Sequence, residues 1–166
     1  MRILAVYRHY WPDATPYARL LRAIAEDAVA NGRRVTVITA QPSYNDLQFD
    51  KQPRRETLKG VHVRRVRLAP ERKRWKLVRL LNSIWFLCRA VGHAILGRYD
   101  LVVANGHPPV LMGVALRMIH LLVGTPYVLH LQDIHPEGLR AVGVFSRSPV
   151  YRTLRAVDAA VCRRAA

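Results

Sequence analysis

Short apolar runs alternate with longer amphipathic stretches along this chain, a pattern that predicts β-strands separated by α-helices. Five runs have the length of strands and lie at residues 2–7, 35–39, 61–68, 100–104 and 127–131. Four stretches keep apolar residues at helical spacing and lie at residues 16–30, 74–96, 109–123 and 149–166. Since crossovers between such units are right-handed, we expect a doubly wound α/β domain. Its parallel, Rossmann-like sheet should have the strand order 3-2-1-4-5.

Residues with known preferences for helix ends support these boundaries. Thr15 followed by Pro16 is typical of an N-cap and the first helical residue. Gly97 and Gly124 are expected to end the second and third helices, because glycine accepts the left-handed conformation common there. The last helix has no terminating signal and is expected to continue to the end of the chain, as in a domain of a larger protein.

The third predicted strand is less regular than the others. Residues 41–60 before it hold two prolines, mixed charge and no clear period, which predicts a long irregular loop. Within the strand the apolar alternation changes phase at Arg64 and Arg65. We therefore expect an edge strand or a β-bulge there.

Length and composition indicate one globular domain over residues 1–166. The chain is 51% hydrophobic and has two cysteines, Cys88 and Cys162, without metal-ligand spacing, which indicates a reduced, cytosolic setting. It has no run of 18 apolar residues, so a membrane-spanning helix is not expected. The net charge is +16, and residues 51–79 hold twelve Lys or Arg against two Glu. Such a charge predicts an anionic partner.

Polar side chains follow three of the predicted strands, at the ends where open α/β sheets bind ligands. The first loop offers Trp11 and Asp13, the second Asn105 and His107, and the third Gln132, Asp133, His135 and Glu137. This mixture of amides, imidazoles and isolated carboxylates suits recognition of polyhydroxyl compounds better than a nuclease or a kinase. The alternative for the third loop is a polar segment that only caps the next helix.

Individual residues in these loops admit more than one role. Trp11 either stacks on a sugar ring or covers the core. His107 precedes a helix start, where free N–H groups favour an oxygen-rich or anionic ligand. Because His130 lies inside a strand, it is not expected to converge with His107 and His135, and no metal site is predicted. No dinucleotide fingerprint, phosphate-binding loop or catalytic triad motif is present.

The second predicted helix, residues 74–96, has more apolar residues than one buried face needs. Five cations crowd its start, where the helix dipole disfavours them, and these are Arg72, Lys73, Arg74, Lys76 and Arg79. One interpretation is a core helix with a solvated basic start. The other is a helix that docks on an anionic membrane leaflet.

Taken in order, several short motifs resemble the N-terminal domain of GT-B glycosyltransferases of the family 4 type. They are HYWPD after the first strand, VTVIT, QPSYND, GVHVRRV, GHPPVL and QDIHPEG. Each motif is weak alone, but the ordered set covers nearly the whole chain. The nearest resemblance is to enzymes that build bacterial capsule, O-antigen and colanic-acid polysaccharides.

The resemblance implies a retaining transfer of a sugar from a nucleotide-sugar donor to a lipid-linked or polysaccharide acceptor. In this family the N-terminal domain binds mainly the acceptor, and a C-terminal domain, absent from residues 1–166, binds mainly the donor. The isolated chain is therefore expected to be inactive. No cofactor is implied apart from the nucleotide sugar as co-substrate.

The resemblance also assigns roles to the polar residues. Many relatives have His where this chain has Gln132, so Gln132, Asp133 and His135 share the expected catalytic role. Trp11, Asp13, Asn105, His107 and Glu137 are expected to contact substrate, and the basic start of the second helix an anionic membrane. The expected location is cytoplasmic, peripheral to the inner face of the membrane. A basic nucleic-acid-binding α/β module, or a stand-alone binding domain, remains as the alternative, and sequence preference at physiological salt would distinguish the former. The resemblance itself implies no specific nucleic-acid partner.

Overall fold

The computed structural model describes residues 1–42, 51–71, 75–132 and 149–163, together with Ala165. Within this part of the chain lie six strands and four helices. The strands are β1 (Arg2–Val6), β2 (Arg34–Ala40), β3 (Arg55–Leu58), β4 (Val61–Val66), β5 (Leu101–Asn105) and β6 (Tyr127–His130). The helices are α1 (Pro16–Ala30), α2 (Lys76–Gly97), α3 (Leu111–Val123) and α4 (Pro149–Cys162).

All six strands form one sheet in the order β3-β4-β2-β1-β5-β6. Five of them are parallel, and they are the five strands predicted from sequence, in the predicted order. The sixth strand, β3, lies antiparallel to β4 at the edge. It occupies part of the segment 41–60 that was expected to be irregular, so that prediction was wrong for Arg55–Leu58. Residues 43–50 of the segment lie outside the described residues.

Neither form of irregularity predicted for β4 is present. Its register with β2 is continuous from His62 to Val66, so there is no bulge, and β3 covers its outer side, so it is not an edge strand. The phase change has another cause: Arg65 continues the inward positions of Val61 and Val63, and its side chain is fully buried. A charged residue therefore occupies a core position.

The sheet separates two apolar cores. On one face α1 packs on β1, β2 and β4, and its core includes Tyr17, Leu21, Ala5, Val37 and Val61. On the other face α2 and α3 pack on the sheet with α4, and this larger core includes Leu4, Val6, Phe86, Leu116 and Tyr127. Helices on both faces confirm the doubly wound architecture.

Two of the predicted helix ends are confirmed. Thr15 is the N-cap of α1, and its Oγ1 accepts a hydrogen bond from the Ala18 amide at 3.1 Å. Gly124 ends α3 with φ of 72°. Gly97, however, is the last residue of α2 and not its terminator: Arg98 has the left-handed conformation, with φ of 49°. The expectation that α4 continues to the last residue was wrong, because it ends at Cys162.

Candidate functional site

The carboxyl ends of the parallel strands form one side of the sheet, here called the carboxyl edge. The loops after β1, β5 and β6 lie there, and β1, β5 and β6 are neighbours in the sheet. The Gly106 amide donates to the carbonyl of His130 at 3.1 Å, which joins the loop after β5 to the end of β6. The second and third predicted site loops thus start side by side, at the edge where open α/β sheets bind ligands.

In the second loop, one predicted residue is structural and the other faces solvent. Asn105 is buried, and its Oδ1 accepts from the His107 amide at 3.0 Å. This bond shapes the turn and leaves the His107 side chain exposed. His107 is therefore the side chain that this loop presents at the carboxyl edge, with Asn105 beneath it as a positioning residue.

In the first loop, Asp13 is buried and paired with a residue that the sequence analysis did not single out. Its Oδ2 lies 2.9 Å from Nδ1 of His9, and the Asp13 side chain is 1% exposed. An Asp–His pair of this kind fixes the orientation of the imidazole. The spacing of four residues was visible in the sequence, but the loop is not helical, so spacing alone did not indicate the contact.

Trp11 does not cover the core. Its side chain is 47% exposed, and the guanidinium of Arg22 lies 4.4 Å from the ring centroid. Arg22 is held in turn by Glu26, with Nε 2.6 Å from Oε1. One face of the indole is therefore occupied by a cation–π contact, and the exposed part of the ring remains available at the rim.

A buried arginine supports the Trp11 loop from below. Arg65 pairs with Glu56 of β3, and its Nη2 donates to the main-chain carbonyl of Trp11 at 2.9 Å. Burial lowers the pKa of Arg65, while the negative charges of Glu56 and Asp13 oppose that shift. Two other guanidinium nitrogens of Arg65 have no hydrogen-bond partner. This costly burial fixes the loop relative to β3 and β4.

Aromatic rings in contact link the end of β1 to the end of β6. Tyr17 at the start of α1 contacts Tyr7 edge-on, with centroids 4.7 Å apart, and His130 at 5.1 Å. Burial, followed by the effect of Tyr7, raises the pKa of Tyr17 to about 12. His130 is half-buried and packs on Tyr17. Within the described part of the chain, no three His, Cys, Asp or Glu residues are grouped to hold a metal ion.

The third loop is described only at its start. Gln132, two residues after the end of β6, is exposed. Because β5 and β6 are parallel neighbours, Gln132 and His107 both follow carboxyl ends of strands. Asp133, His135 and Glu137 lie outside the described residues.

The start of α2 is attached to the carboxyl edge by a polar network. Arg8, after β1, pairs with Glu71 at 2.7 Å, and Glu71 also accepts from Nδ2 of Asn82 at the same distance. Asn82 is buried, and its side chain forms two hydrogen bonds with the main chain of Ala69. Its Oδ1 accepts from the Ala69 amide at 3.0 Å, and its Nδ2 donates to the Ala69 carbonyl at 2.9 Å. Of the predicted membrane-contact residues, Lys76 and Arg79 are exposed in the first turn of α2. Arg72, Lys73 and Arg74 lie outside the described residues.

Helix α2 is apolar on two opposite sides. Its inner side is buried in the core at Phe86, Leu87, Ala90 and Ala94. Its outer side exposes Leu77 by 68%, Leu81 by 56% and Trp85 by 53%, together with Leu80 and Ile84. Among the described helices, α2 is the one long and apolar enough to cross a membrane by length and composition. Its inner side, however, is part of the domain core.

Comparisons with known proteins place this geometry in context. The family described as "Glycosyl transferase 4-like domain" matches residues 5–166. A structure of sucrose-phosphate synthase from Thermosynechococcus elongatus aligns with 99% of this chain at a TM-score of 0.65 and 17% identity. A second, partial structure of that protein aligns with 80% at a TM-score of 0.50 and 18% identity. This chain spans 40% of the first structure and 64% of the second. A search of curated proteins found no match.

Proposed function

Since this chain belongs to the glycosyl transferase 4-like domain family, we propose that it is the acceptor-binding half of a retaining glycosyltransferase. The donor is a nucleotide sugar, and the acceptor is a lipid-linked sugar or a growing polysaccharide. A second domain, which binds the donor, completes the active site in the larger protein. The fold of residues 1–166 matches one half of a GT-B architecture, in which the substrates meet between two such domains.

The observation that carries this proposal is the position of His107 and Gln132. Both are exposed at the carboxyl edge, on loops that follow the neighbouring strands β5 and β6. The hydrogen bond from Gly106 to His130 fixes the distance between these loops. An exposed imidazole and an amide suit the hydroxyl groups of a sugar, because each offers a directional donor or acceptor.

The reaction is a glycosyl exchange. The acceptor oxygen bonds to the anomeric carbon of the sugar as the bond from that carbon to the donor phosphate oxygen breaks, and the proton of the acceptor hydroxyl passes to that phosphate oxygen. The nucleoside diphosphate leaves with the electron pair. We assign contact with the transferred sugar to Gln132, Asp133 and His135, and contact with the acceptor to Trp11, His107 and Glu137. Asp13 and Asn105 are positioning residues. Asp13 orients the His9 ring, and Asn105 accepts a hydrogen bond from the His107 amide.

We further propose that α2 docks the protein on the cytoplasmic face of a membrane. The outer side of α2 exposes Leu77, Leu81 and Trp85, and cations are concentrated at its start. Apolar side chains beside a basic segment are typical of interfacial helices. The Arg8–Glu71–Asn82 network attaches this end of α2 to the carboxyl edge. Docking would therefore bring the acceptor site close to lipid-linked substrates.

A transfer assay tests the proposed reaction. A protein that contains this domain and its donor-binding domain is incubated with membranes and a panel of radiolabelled nucleotide sugars. We expect label from one donor in lipid or polysaccharide, and none with the 166-residue chain alone, since catalysis requires both reactants in one geometry. Transfer by the 166-residue chain would contradict the assignment of two domains. Absence of transfer from every donor sugar would contradict the proposed function.

A further inference from the structure

A second concave surface lies between α2 and the strands β3 and β4. It is a groove of about 620 Å³. Arg55 of β3, Arg64 of β4 and Arg67 form its sheet side, and Trp85, Arg89 and His93 line it from α2. These α2 residues are four apart, so they form one stripe of the helix. No carboxylate is among the residues that line the groove.

The groove concentrates positive charge at a cost to the folded protein. Arg55 and Arg64 are directly opposite each other in the antiparallel pair β3–β4, so their side chains share one face of the sheet. Like charges in this position are destabilising. Within the described part of the chain neither has an ion pair with a carboxylate, whereas Arg65, on the other face, has Glu56. An external anion would offset this repulsion.

The field inside the groove also acts on His93. Burial lowers the pKa of His93, and the charges of Arg64, Arg55 and Arg89 lower it further. Nε2 of His93 lies 2.8 Å from the hydroxyl of Tyr99, which holds the ring at the groove wall. Three of the arginines that line the groove thus act together on one point within it.

Trp85 belongs both to the groove and to the outer apolar side of α2. It is 53% exposed, and the guanidinium of Arg89 lies 5.8 Å from its ring centroid. Leu81 and Ile84 extend the apolar surface from Trp85 along the outer side of the helix. A ligand that fills the groove therefore meets guanidinium groups on one side and an apolar ridge on the other.

We propose that this groove binds the phosphate of an anionic lipid headgroup. The inference rests on the membrane docking proposed above and gives it a specific headgroup site. Guanidinium groups bind phosphate through paired N–H donors, which makes arginine suited to this ligand. Tryptophan favours the level of the headgroups, where Trp85 would lie with Leu81 toward the acyl chains. A soluble phosphate compound would use the arginines but leave the apolar ridge in water.

The test compares two variants with the same loss of charge. Arg64→Gln/Arg89→Gln removes two guanidinium groups from the groove, and Arg19→Gln/Arg33→Gln removes two exposed ones elsewhere. Each is sedimented with phosphatidylcholine vesicles with and without phosphatidylglycerol. We expect the groove variant to bind the anionic vesicles about thirtyfold more weakly than the parent and the control variant to bind like the parent. Circular dichroism and thermal unfolding show that each variant is folded, and Arg67→Gln/Arg89→Gln replaces the groove variant if it is not.

Each contrary outcome has a separate meaning. Equal binding by the groove variant and the parent would overturn the groove site and leave membrane docking intact. Equal losses in both variants would also overturn it, because net charge alone would then explain binding. If the parent fails to bind anionic vesicles, that result would contradict both the proposed membrane docking and the headgroup site. If inorganic pyrophosphate shifts the His93 ring signals and the vesicles do not, the ligand is a soluble phosphate, which would overturn the lipid assignment.

Discussion

Nη2 of Arg65 donates a hydrogen bond to the main-chain carbonyl of Trp11 at 2.9 Å, although the two residues are 54 positions apart. The same guanidinium pairs with Glu56, so β3, β4 and the loop after β1 share one buried charge. This contact determines where the Trp11 loop lies at the carboxyl edge. It also explains why a strand with otherwise regular alternation has arginine at a core position.

Arg65→Met is expected to reduce the free energy of unfolding by about 3 kcal/mol, because it leaves Glu56 without its partner in a largely buried site. Urea denaturation measures the loss. The double variant Arg65→Met/Glu56→Met should recover most of it, since no unpaired charge then remains. A single variant as stable as the parent would show that the buried pair is not structurally important.

Tyr17→Phe should flatten the dependence of stability on alkaline pH. The folded pKa of Tyr17 is about 12, against an ordinary value of 10.0. Above pH 10 the unfolded chain releases this proton while the folded chain retains it, so the folded state loses stability as pH rises toward 12. Denaturation curves recorded between pH 9 and 11.5 test this. The same loss in parent and variant would contradict the account of Tyr17.

Leu77→Ser/Leu81→Ser is expected to weaken binding to anionic vesicles sharply without unfolding the domain, because both side chains are on the outer side of α2. The matched control is Leu20→Ser/Ile24→Ser, which changes two exposed apolar residues of α1. Sedimentation with vesicles compares them. If the α1 variant loses as much binding as the α2 variant, α2 is not the docking surface.

Replacing the basic start of α2 should also weaken docking, in a salt-dependent way. Each cation close to an anionic surface contributes about 1 kcal/mol at low salt. The variant changes Arg72, Lys73, Arg74, Lys76 and Arg79 to Gln. Sedimentation at low and high salt should show that the variant binds weakly at both. Parent-like binding by this variant would remove the basic start from the membrane contact.

The strand order followed from sequence because β1, β2, β5 and β6 are short apolar runs and β4 alternates apolar and polar residues. The missed strand β3 had no such signal: Arg55, Glu56, Thr57 and Leu58 are partly or fully exposed, and pairing with β4 defines the strand. Because β3 was missed, the partner of Arg65 was not apparent, and the phase change in β4 predicted an edge strand or a bulge. Local patterns do not reveal a contact that depends on a distant strand.

The candidate site, like the fold, was predicted from sequence in part. Polar residues after β1, β5 and β6 indicated the carboxyl edge, and the structure brings the last two loops together through Gly106 and His130. Sequence did not distinguish exposed His107 from buried Asp13 and Asn105, because a polar residue in a loop can satisfy its hydrogen bonds within the protein. The arginine groove was also missed, because its members come from three separated segments.

The most direct test of the proposed function is the initial rate of sugar transfer by the two-domain protein with single substitutions at the carboxyl edge. We expect His107→Ala, Asp133→Ala and His135→Ala each to lower turnover by about 100-fold, the scale of losing a group that moves a proton or positions a substrate, with unchanged thermal unfolding. His62→Ala, an exposed histidine of β4, is the control and should keep the parental rate. Parental rates in all three variants would contradict the assignment of substrate contacts to the loops that follow β5 and β6.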